Sequence, residues 1–120
     1  MVTQLQNPND LLPLTPAVFH ILLALADGER HGYSIMKEVT TLSQETVRMG
    51  PGTLYGSIKR MIVSGLVEES EERPDPEMDD QRRRYYRLTP FGRRVAEAEA
   101  GRLANLVRQA TLKQLLGEVG

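Results

Sequence analysis

The chain has 120 residues, enough for one domain with a modest core. It holds no cysteine and only two histidines, which excludes a disulfide framework and any Cys-based metal site. No run is apolar for long enough to span a membrane, and the first ten residues lack the basic and apolar regions of a secretory signal, so a soluble cytoplasmic protein is expected.

Net charge is −1, but it is unevenly spread. Residues 68–80 hold eight acids and one base, whereas the rest of the chain holds 14 bases against 8 acids. A basic framework carrying one acidic loop permits nucleic-acid binding.

Residues 1–13 read as an N-terminal arm whose first ten residues fray; Leu11, Leu12 and Leu14 can pack on the body. Thr15-Pro16 is a helix N-cap followed by proline at the first helical position. The run Ala17 to Ala26 is almost continuously apolar, so this first helix must be buried on nearly all sides, and a second subunit is expected to cover part of it. His20 within it reads as a structural histidine. Asp27-Gly28-Glu29-Arg30 is a turn. A second helix is predicted from about Gly32 to Thr41, with Ile35, Met36 and Val39 facing inward.

The stretch from Met49 to Val67 organises the rest. Pro51 suits the first turn of a helix and Gly65 suits the position just past its end. Leu54, Ile58 and Met61 make one apolar face. The other face carries Gly52, Thr53, Gly56, Lys59, Arg60 and Val63. A short helix with small, hydroxyl and basic residues on its free face can enter a DNA major groove.

Leu66 to Ser70 and Arg82 to Leu88 read as two antiparallel strands, with Tyr86 and Leu88 on one face and Tyr85 and Arg87 on the other. Residues 71–81, rich in acids and holding two prolines, form the loop between them. Thr89-Pro90 starts a last helix running to about Leu116. Nothing remains in the chain for its distal half to pack on, so a second copy of the same chain is the expected partner. The fold class is therefore mainly α with a two-stranded β-wing. Residues 1–88 form a winged helix-turn-helix, and residues 89–120 form a C-terminal dimerisation helix.

Four segments, 14–25, 31–39, 50–61 and 83–92, resemble the PadR family of bacterial transcriptional regulators. Gly-Thr-Leu-Tyr at 52–55 and Tyr-Tyr-Arg-Leu-Thr at 85–89, in that order at this separation, are specific. The short C-terminal part looks like the compact subgroup with a single dimerisation helix. The resemblance implies a homodimeric, usually repressing winged-helix protein that binds double-stranded DNA, with many members answering small aromatic or drug-like ligands.

Thr53, Lys59 and Arg60 are the candidate DNA contacts on the free face of the third helix. Gly52 and Gly56 let the backbone approach DNA; for Gly52, turn geometry is the alternative. Tyr55 lies between the two faces, as core with its hydroxyl on a phosphate or as a groove contact. Tyr33 stands where the resemblance implies a phosphate-contacting ring, with packing between helices as the alternative. Arg82, Arg83 and Arg84 at the base of the wing are further candidates, or else a solvated face opposing the acidic loop. Lys37 reads as surface.

An effector site is expected between the first helix, the last helix and their partner copies. Phe19 and Phe91 are its candidate lining, with ordinary core as the alternative. Leu22, Val95, Leu103, Leu106, Val107 and Ala110 are the candidate dimer contacts. No arrangement for catalysis stands out and no cofactor is expected. The competing class is a protein–protein interaction module without specific DNA binding.

Overall fold

The computed structural model describes residues 6–71, 73–74 and 82–117, and of residues 73, 74 and 82 the backbone alone. Helix α1, Pro16–Leu25, is the hub. Thr15 caps it, its hydroxyl oxygen accepting from the Val18 N–H at 3.2 Å. Ile21, Leu22 and Ala24 are wholly buried and Leu25 nearly so. The helix touches α2 (Gly32–Leu42), α3 (Pro51–Val63), α4 (Pro90–Leu112) and strand β5 (Tyr85–Leu88). Much of its apolar run is thus covered by its own chain, while Leu23 stays 38% exposed. Leu22, expected at the dimer contact, is instead central core.

Helix α2 is capped by His31, whose Nδ1 accepts from the Ser34 N–H at 3.1 Å. The link from α2 to α3 is held by buried Ser43. Its hydroxyl oxygen accepts from the Val47 N–H at 3.0 Å and lies within bonding range of two carbonyls, those of Thr40 and Val47. Helix α3 buries Leu54, Ser57, Ile58 and Met61. It ends as its glycine predicts. Gly65 takes φ +78°, its N–H donates to the Ile62 carbonyl, and the Leu66 N–H donates to that of Met61. This paired closure satisfies two carbonyls that the helix leaves open.

The sheet departs from the two-stranded expectation. Strand β1, Arg30–His31, begins within the expected turn, and it pairs with β5. The order is β1-β5-β2, all antiparallel, with β2 at Val67–Glu69. The wing continues beyond Ser70 as a second ladder, β3 (Arg73–Pro74) against β4 (Arg82–Arg83). The tip of the acidic loop, residues 75–81, lies outside the described residues.

As the central strand, β5 has both faces covered. Tyr86 joins the core, and Tyr85 meets His31 edge-on at 5.5 Å, so both tyrosines are buried.

Thr89 caps α4, accepting from the Gly92 N–H at 2.9 Å. The first turns of α4 belong to the common core: Val95 is fully buried, which removes it too from any partner surface. The arm folds back as a 3-10 turn, Pro8–Leu11, and packs beside α4. Buried Glu99 ties it there, accepting from the Leu14 N–H at 2.8 Å and pairing with Arg102. Beyond Glu99 the helix leaves the body. Leu106 and Val107 are about half exposed, at 51% and 52%, while Leu103 and Ala110 are partly covered. The helix stops at Leu112, short of the expected Leu116, because Gln114 turns left-handed at φ +64°.

Candidate nucleic-acid interface

Helix α3 presents Gly52, Thr53, Lys59 and Arg60 to solvent, and Gly56 partly so. Val63 is 84% exposed at its end. Its first turn also differs from those of the other α-helices. Thr15, His31 and Thr89 cap α1, α2 and α4 with side chains, whereas Gly50 offers α3 no side-chain cap. With Pro51 first, the N–H groups of Gly52 and Thr53 stay open toward solvent beside the Thr53 hydroxyl. An uncapped helix start is the end that attracts a phosphate oxygen.

Tyr55 projects from α3 toward the start of α2. A β-carbon at Gly32 would lie 2.2 Å from the Tyr55 hydroxyl oxygen and 2.6 Å from Cζ. Gly32 is therefore the recess in which Tyr55 sits, and Tyr55 keeps 44% of its surface exposed. Neither reading of Tyr55 from the sequence includes this contact. The only signal for it is a glycine at a helix start where alanine would serve better.

Beside it lies a layered cluster. The Tyr33 ring, 51% exposed, stacks near His31 at 6.5 Å. The Lys37 ammonium sits 5.5 Å from the Tyr33 ring centre and the Arg83 guanidinium 5.9 Å. Both are in cation–π range. Tyr33 thus joins α2 to the wing, and Lys37, exposed as expected, stands against its ring.

The cations then sort by partner. Arg30 is engaged by the Ala24 carbonyl, the Ser34 hydroxyl and Glu38. Arg87 pairs with Glu68 at 2.8 Å and Arg84 with Glu69 at 3.3 Å. Arg83 is half-buried against Tyr33, and the side chain of Arg82 lies outside the described residues. Among the described residues, no carboxylate stands within ion-pair range of Lys37, Lys59 or Arg60. Among the described side chains, Lys37 on α2 and Lys59 and Arg60 on α3 thus stand without a carboxylate, whereas Arg84 and Arg87 of the wing are paired. Behind this surface, burial raises the pKa of the Tyr86 hydroxyl, and the Glu69 carboxylate adds to the effect.

Phe91 packs on the core under the Arg94 guanidinium, and Phe19 is partly covered on α1. Among the described residues no cluster could hold a metal ion, and no helix is long and apolar enough to cross a membrane.

Three helices, the third presented by the second, with a β-wing behind them, define a winged helix-turn-helix protein. The chain belongs to the PadR-like family of transcriptional regulators, whose model matches residues 21–98. It is 39% identical over 90 residues to the transcriptional regulator Rv3488 of Mycobacterium tuberculosis, covering 75% of this chain and 78% of that one. It is 41% identical over 86 residues, 72% of this chain, to a transposon protein of Streptomyces fradiae, and spans only 22% of that relative's length.

Among solved structures, a transcriptional regulator of Clostridium thermocellum matches with a TM-score of 0.64 at 25% identity, covering 81% of this chain and 87% of that one. Bacillus subtilis PadR, solved in complex with operator DNA, shares the fold with a TM-score of 0.57 at 18% identity, over 68% of this chain and 44% of that one.

Proposed function

We propose that this protein is a sequence-specific DNA-binding repressor that acts as a homodimer on a pseudo-palindromic operator and is released by a small-molecule effector. The observation that carries the DNA reading is the free face of α3: an uncapped start, Thr53, and the cations Lys59 and Arg60, which have no carboxylate partner among the described residues. The operator complex of Bacillus subtilis PadR supports it at the level of the shared fold.

In this reading α3 enters the major groove. The Gly52 and Thr53 N–H groups, Lys59 and Lys37 meet phosphates, and Thr53 and Arg60 reach base edges. Gly52 and Gly56 keep side chains from holding the backbone away. Tyr55, seated over Gly32, and Tyr33, flanked by Lys37 and Arg83, border the groove with their hydroxyls toward the backbone. Arg82 and Arg84 add positive charge at the wing base, Arg84 by giving up its exposed pair with Glu69.

The dimer reading rests on the distal half of α4. Leu103, Leu106, Val107 and Ala110 share a strip that the protomer leaves open or half-covered. In the proposed dimer two such strips pair, and the two α3 helices would meet half-sites one DNA turn apart, about 34 Å. Phe19 and Phe91 remain candidates for an effector site between α1 and α4.

The test is fluorescence anisotropy on a duplex from the chain's own upstream promoter, across 50–200 mM salt. A steep linear fall of log K with log salt, and preference for that duplex over a scrambled one, is expected. Equal binding to both duplexes overturns sequence specificity. No duplex binding at low salt, with salt-insensitive capture of a protein partner, overturns the regulator reading in favour of an interaction module.

A further inference from the structure

A cleft of 220 Å³ opens between the N-terminal arm, the start of α1 and one edge of α3. Leu11, Leu14, Val18, Met61 and Leu66 give it aliphatic walls, and among the described residues no aromatic ring lines it. Among the described residues its one charged group is Arg60. The Arg60 Nη2 reaches the Ser57 hydroxyl at 3.3 Å, a weak neutral partner for a guanidinium. A single guanidinium at the edge of an aliphatic wall suits a monoanion carrying an apolar chain: the fork grips a carboxylate bidentately, and the chain lies on the leucines. The small volume, below the usual ligand range, suits a chain of about six to eight carbons.

The position of the cleft gives it a consequence. Arg60 is also a candidate DNA contact, and a bound carboxylate holds it at the cleft. The opposite wall is the arm, which Leu14 fastens to α4 through Glu99. We propose that the cleft binds a medium-chain alkyl carboxylate through Arg60 and that this binding lowers affinity for DNA. The second half of the proposal rests on the DNA-binding reading above.

The test titrates octanoate into the full chain by calorimetry, with methyl NMR to place it. Saturable binding at one per chain is expected, with shifts concentrated at Leu11, Leu14, Val18, Met61 and Leu66. Octanamide, which keeps the chain and loses the charge, is expected to bind at least tenfold more weakly, as is octanoate to Arg60→Gln. Val18→Phe fills the cleft and is expected to abolish octanoate binding while keeping duplex binding. Ser64→Leu at the rim repeats the test if Val18→Phe disturbs folding. In anisotropy, octanoate is expected to weaken duplex binding at least fivefold for the native chain and not for the filled variant.

Shifts elsewhere, equal affinity for octanamide, or no binding because another part of a dimer occupies the cleft all overturn the site. Octanoate binding in the cleft by a chain that never binds duplex DNA keeps the site and overturns the regulator reading. Duplex binding unaffected by bound octanoate keeps the site and overturns its coupling to DNA.

Discussion

Replacing Gly32 with alanine tests how the recognition surface is set. The new β-carbon would sit 2.2 Å from the Tyr55 hydroxyl oxygen and 2.9 Å from Cε1, against an ordinary contact distance of ~3.5 Å. The obstacle is the far end of a half-exposed side chain, so the ring moves and the backbone stays. Swinging the ring into water gives up roughly 1–2 kcal/mol of apolar burial. Alanine returns up to about 1 kcal/mol over glycine in a helix. Stability at pH 7, read from urea melts, is therefore expected to stay within about 1 kcal/mol of the native protein. On the proposed mode of binding, duplex affinity is expected to fall roughly tenfold or more, since each protomer of the proposed dimer would lose the hydrogen bond of a fixed tyrosine hydroxyl, worth about 1 kcal/mol. The decisive measurement is the cycle with Tyr55→Ala. With the ring gone, alanine at 32 meets nothing, and a coupling of about 1 kcal/mol or more is expected. Equal effects of Gly32→Ala in both backgrounds would show that the recess has nothing to do with Tyr55 and would refute the reasoning.

Lys59→Ala with Arg60→Ala should leave urea melts unchanged, since both side chains are exposed, and should flatten the salt dependence by roughly 0.9 in slope for each phosphate no longer neutralised; an unchanged slope means that these residues do not meet the DNA backbone. Glu99 has its pKa lowered chiefly by its hydrogen bond from Arg102, with the Leu14 N–H adding and burial opposing. Its folded value lies below the ordinary 4.5, so its contribution to stability is complete above that pH and is lost as pH falls through the folded value. Glu99→Gln should cost about 1–3 kcal/mol at pH 7 and flatten the acid side of the stability–pH curve; a curve of native shape would show that the arm clasp does not titrate there. Leu106→Glu with Val107→Glu should leave the protomer folded and, in sedimentation, move a dimer toward monomer; an intact dimer places the contact elsewhere on the chain.

The features legible from sequence are those settled by neighbours in the chain. Thr15-Pro16 and Thr89-Pro90 start helices because a hydroxyl and a missing N–H answer the same local shortage of partners. Pro51 and Gly65 bracket α3 for equally local reasons. Strand β1 is not legible. Its two residues gain strand geometry only by pairing with β5, more than fifty positions away. The same strand explains the tyrosines: alternation assigns Tyr85 and Tyr86 to opposite faces correctly, but only the third strand and His31 show that both faces are covered. Leu22 and Val95 look like spare apolar surface because a sequence does not reveal how many elements converge on α1.

The arginines mark where sequence reasoning about charge stops. Arg82, Arg83 and Arg84 look like a basic patch in one dimension, and Lys37 looks incidental. In the fold, Arg84 faces Glu69 and Arg83 lies on Tyr33, while Lys37 also stands against that same ring. A cation already held by a carboxylate must give up that partner before it can neutralise a phosphate, so its net gain on DNA is smaller than that of a cation facing water. Lys37, Lys59 and Arg60 face no such loss among the described residues. Strand β2 engages two of the wing's cations, Arg84 and Arg87, through Glu69 and Glu68. Among the described residues Arg60 is a cation without a carboxylate partner that the free face of α3 shares with the aliphatic cleft beside it, so both proposals above turn on its side chain.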